Sequence, residues 1–183
     1  MARISKLNIE IINIIKNYSR SLQSIKKLKF LQHNLGLELI LQTDKYGGYY
    51  SITHSHNYVA LARYLNKVGI DIELIDKKKG KRVNLLPDSE KKLSLKYDFT
   101  SIWVLKEAIA KYHTIGLPRI DVIKIEAIEN QVVYYRIKRK QVEKLEYRFI
   151  DVNPSYRLCV VTKKIPNIYI HIKNVENKNT EYI

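Results

Sequence analysis

The chain has 183 residues, 45% of them apolar, a net charge of +15 and a single cysteine. That length suits one compact domain or two small ones sharing an interface. No apolar run reaches the roughly 18 to 20 residues that a membrane span needs. One cysteine leaves no disulfide or zinc framework and fits a reducing cytoplasm. The charge predicts acidic partners such as nucleic acid, anionic membrane, a phosphorylated ligand or an acidic protein. The basic residues are dispersed, however, and their densest runs, KKKGKR (77–82) and KRK (138–140), suit solvated loops or strand ends as well.

In chain order, Leu7, Ile11, Ile14 and Ile15 fall at helical spacing and predict an amphipathic helix over 5–18 rather than a signal peptide. A second helix is expected over 22–33 and a strand over 37–42, with a turn in DKYGGYY (44–50). Three short strands follow: YYSIT (49–53), YVALARYL (58–65) and VGIDIELI (68–75), joined by hairpin-sized connections. Residues 76–98 read as a polar, basic excursion. TSIWVLKEAIAKYHT (100–114) is the clearest helix, with Thr100 or Ser101 to cap its start and Gly116 and Pro118 beyond its end. Strands are expected at 120–127, 131–138, 144–150, 156–163 and 167–172, before a polar tail. The order of helices, strands, helix, strands indicates an α+β fold rather than alternating βαβ units.

The residues that suggest chemistry lie in three of these elements. In VGIDIELI, alternation puts Asp71 and Glu73 on one face of an apolar strand, where two like charges repel and lose hydration. A solvated edge strand is one resolution; a cation is another. Glu107 and Lys111 are four apart on the helix, as in an ordinary surface pair. Three carboxylates from a strand and a helix could also converge on Mg²⁺, which favours oxygen ligands and keeps places for water and phosphate. In SITHSHN, Thr53, His54 and Ser55 offer two hydroxyls, an imidazole and turn amides, a plausible anion pocket, with His56 incidental. Trp103 is read as packing.

The ordered set SITHS (51–55), VGIDIE (68–73) and WVLKEAIAKYHTIGL (103–117) resembles the 4′-phosphopantetheinyl transferase superfamily, specifically its monomeric, Sfp-like branch. The resemblance implies two pseudo-symmetric α/β halves, about 1–75 and 95–172, with antiparallel strands packed on helices and a tail at 173–183. It implies transfer of 4′-phosphopantetheine from coenzyme A to a serine of an acidic carrier protein, with Mg²⁺, releasing 3′,5′-ADP. Residue by residue, Asp71, Glu73 and Glu107 match metal ligands. Lys111 matches a lysine on coenzyme A, His54 a histidine on a coenzyme A phosphate, and Thr53 the hydroxyl beside it. Glu107 is the first candidate for general base and Lys111 for stabilising charge on the phosphates. Lys26, Lys27, Lys29 and Lys45 are candidates for the nucleotide phosphates. The resemblance points to a cytoplasmic monomer with neither nucleic acid nor membrane as partner. A basic nucleic-acid-binding module, argued from the charge and 14 tyrosines, and a member that binds coenzyme A without transferring from it are the competing readings.

Overall fold

The computed structural model describes residues 6–14, 48–75, 86–115 and 121–175. The helix expected over 22–33, the strand over 37–42, Lys26, Lys27, Lys29 and Lys45 lie outside these residues. Nine strands and two helices are described. Strands β1 (Leu7–Ile14), β2 (Tyr49–Ser55), β3 (Tyr58–Tyr64) and β4 (Val68–Leu74) are followed by helices α1 (Asp88–Leu93) and α2 (Phe99–Tyr112). Then come β5 (Ile123–Glu129), β6 (Val132–Ile137), β7 (Glu143–Asn153), β8 (Tyr156–Thr162) and β9 (Ile168–Val175). The architecture is mixed α+β, as expected.

The first segment is a strand and not a helix. Leu7, Ile9 and Ile11 are wholly buried and alternate with half-buried Asn8, Glu10 and Ile12. The period is therefore two, and the β-branched isoleucines suit a pleated surface. The helical spacing of Leu7, Ile11 and Ile14 is a coincidence that so isoleucine-rich a stretch allows. The polar excursion also contains structure: α1 forms within it, close behind Leu86.

The strands form two sheets, of order β2-β3-β1-β9 and β4-β8-β7-β6-β5. β2 and β3 make the expected hairpin, turning at His56, whose φ is 48°. β4 does not extend that meander. It leaves for the second sheet and pairs antiparallel with β8, while β9 returns to the first sheet and lies parallel to β1. Each sheet thus takes a strand from the opposite end of the chain.

β4 lies in the middle of a layered stack. Its Val68, Ile70 and Ile72, with Leu158 and Val160 of β8, pack on Leu7, Ile9, Ile11, Ala60 and Ala62 of the first sheet. On the second sheet's other face, Cys159, Val161, Ile123, Ile125 and Tyr135 pack on Ile102, Leu105, Ala108 and Ile109 of α2. Each fully buried Val, Leu or Ile among them contributes about 1.5–3 kcal/mol. α2 starts one residue earlier than the sequence suggests, so Asp98 takes the cap position. Its Oδ1 accepts from the Ser101 amide at 3.0 Å, and its Oδ2 accepts from Arg157 of β8.

Candidate functional site

The site forms at β4, the edge of the second sheet, which lies between β2, the edge of the first, and α2. Its position depends on Gly69. A Cβ placed there would lie 2.0 Å from the carbonyl oxygen of Ala108 and 2.7 Å from the amide nitrogen of Tyr112. Only glycine lets the strand backbone touch the helix backbone in this way. With Gly69 against the helix, alternation turns Asp71 and Glu73 toward the same side, next to the α2 stripe carrying Glu107 and Lys111.

β4 is an edge strand, so its outward amides need partners. β2 supplies them through side chains. The Ser51 hydroxyl accepts from the Ile70 amide at 3.1 Å, and the Thr53 hydroxyl accepts from the Ile72 amide at 3.3 Å. Thr53 in turn donates to Asp71 Oδ1 at 2.7 Å, and Ser55 donates to Glu73 Oε2 at 3.1 Å. All three hydroxyls are buried. Alternating hydroxyls therefore seam the two sheets together and orient the carboxylates. The anion pocket expected of Thr53 and Ser55 meets a different arrangement, because both donate their protons to carboxylates. His54, on the opposite face of β2, is exposed and lies away from the cluster. His56 Nδ1 lies 3.2 Å from the Ser55 hydroxyl.

Asp71, Glu73 and Glu107 come together: one carboxylate oxygen from each lies within 4.8 Å of the others. Asp71 is 2% exposed and Glu107 8%. This burial removes both the solvated-edge reading of Asp71 and the surface-pair reading of Glu107. Lys111 reaches Asp71 rather than pairing with Glu107 alone, its Nζ 2.6 Å from Oδ1. Asp71 Oδ1 thus has two donors, whereas the buried Oδ2 has no hydrogen-bond partner among the described residues. Burial pushes the Glu107 carboxyl up to about 8, with repulsion from Asp71 and Glu73 adding to the rise and Lys111 and the Trp103 side chain opposing it. Glu73 is raised by burial first and by Asp71 next, against the Ser55 hydrogen bond.

An orphaned buried carboxylate oxygen, an all-oxygen donor set and two carboxyls held above their usual range are what a hard divalent cation relieves. These three residues could hold one. Trp103 stacks on Phe99 with ring centroids 5.7 Å apart, and its side chain opposes the rise of the Glu107 carboxyl.

Sequence reasoning missed Ser51 and Ser55 as supports of the carboxylates, although their alternation with Thr53 was visible. It also missed the buried pair Lys106–Glu90, for which no local signal exists.

Residues 67–161 match the family model described as the 4′-phosphopantetheinyl transferase superfamily. The match runs over just more than half the chain, from the residue before β4 into β8. It contains Asp71, Glu73, Glu107 and Lys111 and leaves out β2. Among curated proteins, none matches.

Proposed function

Since this chain belongs to the 4′-phosphopantetheinyl transferase superfamily, we propose that it moves 4′-phosphopantetheine from coenzyme A to a serine of an acidic apo carrier protein. The observation that carries this reading is the convergence of Asp71, Glu73 and Glu107 beside Lys111, with Asp71 Oδ2 left without a partner among the described residues.

In this reading Asp71, Glu73 and Glu107 hold Mg²⁺, which supplies neutralisation of charge on the pyrophosphate of coenzyme A. The carrier serine oxygen attacks the phosphorus that bears the pantetheine arm. The bond from that phosphorus to the bridging oxygen breaks, and 3′,5′-ADP leaves. Glu107 takes the serine proton, directly or through a water on the metal. Lys111 donates hydrogen bonds to the phosphate oxygens as charge develops on them. Thr53 holds Asp71 in place, next to the bound cofactor. His54, exposed on the outer face of β2, binds a peripheral phosphate of coenzyme A.

The two sheets correspond to the two pseudo-symmetric halves, about 1–75 and 95–172, with β4 and β9 exchanged between them, and coenzyme A lies at their junction. We assign the chain to the monomeric branch, acting in the cytoplasm. Among the described residues no helix is long and apolar enough to cross a membrane.

Asp71→Ala and Glu107→Gln test the reading. Each is expected to keep a cooperative thermal transition and to lose transfer to an apo carrier, read by mass spectrometry. Wild-type turnover in either folded variant rules out the assigned roles.

A further inference from the structure

Lys106 is adjacent to Glu107, yet it points into the protein. It is 3% exposed and its partner Glu90 of α1 is 0% exposed. Lysine is among the residues least often buried. The Lys106 Nζ lies 3.0 Å from Glu90 Oε1 and 2.7 Å from Oε2, and Oε1 also accepts from the Ile125 amide of β5 at 2.8 Å. One carboxylate thus ties α1, α2 and β5 together amid Leu86, Leu105, Ile109 and Ile125.

We propose that the buried Lys106–Glu90 pair is a positioning device for the acidic cluster, fixing the rotation of α2 about its axis so that Glu107 and Lys111 face Asp71. The inference rests on the transferase reading. Buried ion pairs are a poor source of stability, since apolar pairs of the same volume often hold a fold equally well. What a charged pair adds is direction: two oxygens and an amide define one arrangement. Successive side chains on a helix are about 100° apart, so Lys106 and Glu107 cannot turn independently. Gly69 holds the helix on the β4 side, and Lys106 holds it on the α1 and β5 side.

The double variant Lys106→Met/Glu90→Gln keeps the volume and the acceptor for the Ile125 amide while removing both charges. It is compared with wild type by thermal unfolding, by Mn²⁺ binding followed by electron paramagnetic resonance, and by kcat and KM for coenzyme A. The expected result is a folded protein whose Mn²⁺ affinity falls about 10- to 100-fold, with a similar loss in kcat. KM for coenzyme A changes far less. A folded variant with wild-type Mn²⁺ affinity and kcat overturns the proposal. Should the double variant not fold, Glu90→Asp keeps both charges while shortening the link by one methylene group; the same fall in Mn²⁺ affinity and kcat is expected of it, and wild-type values overturn the proposal. Wild-type protein that binds Mn²⁺ but modifies no carrier refutes the transferase reading and leaves the positioning role to be judged on the Mn²⁺ comparison. Wild-type protein that binds no Mn²⁺ overturns both.

Discussion

Asp71 is held from three directions: by its own strand, by Thr53 across the sheet junction and by Lys111 from the helix. Its neighbour Glu107 bears the electrostatic consequence. In the folded, metal-free protein burial pushes the Glu107 carboxyl up to about 8, from 4.5 for an ordinary glutamate. Between those values the folded state binds more protons than the unfolded chain, so stability falls as pH rises through the window. The slope is at most about 1.4 kcal/mol per pH unit. Thermal unfolding from pH 5 to 8 in the presence of a chelator should show this decline in wild type and a flatter profile in Glu107→Gln. Equal slopes would contradict the assigned environment. Mg²⁺ should stabilise more as pH rises, because its binding displaces that proton. His54 lies on the exposed face of β2; in the proposed reading His54→Ala should leave kcat near wild type and raise KM for coenzyme A by about tenfold, the loss of one charge-assisted contact. An unchanged KM would remove His54 from the cofactor site. The three carboxylates were legible as a set only when strand and helix motifs were read together. Lys106 was not legible at all: a lysine in a helix is normally solvated, and its partner lies 16 residues away in a segment that reads as polar loop.

At the scale of elements, the site depends on the contact between β4 and α2. The sequence alone identifies both, because β4 alternates cleanly and α2 has a helical stripe and strong end signals. It does not identify how they meet. Alternation says which face Asp71 and Glu73 occupy, but β4's departure to a second sheet follows from tertiary pairing with β8. β1 shows the opposite difficulty, since a run of isoleucines satisfies a helical and a strand period together and only burial of every second residue decides. Gly69 is where the contact can be tested. In Gly69→Ala the new methyl group would meet helix backbone at Ala108 and Tyr112, which cannot yield as a flexible side chain can. α2 must move off β4, at a cost of about 1–3 kcal/mol or more. The Lys111–Asp71 pair then lengthens. Thermal unfolding should show the destabilisation, and transfer should fall beyond what the lost folded fraction explains. A variant with wild-type melting and transfer would mean that the close approach is not needed.

Over the whole molecule, a chain of net charge +15 encloses a small, buried, acidic site. The contrast suits a protein that attracts anionic partners while reserving one point for a cation. In the proposed function, surface charge of this sign would speed encounter with an acidic carrier and with coenzyme A, and added salt would weaken it. The same charge would also attract nucleic acid, so it does not by itself select a function; the proposal rests instead on the family match and the carboxylate cluster. The most direct measurement is incubation of the purified protein with coenzyme A and a panel of apo carrier proteins, with Mg²⁺ or with a chelator, read by mass spectrometry. The account predicts a mass gain of one phosphopantetheinyl group on at least one carrier, with Mg²⁺ only, lost in Asp71→Ala. No gain on any carrier, or an equal gain in the chelator or in Asp71→Ala, would contradict it.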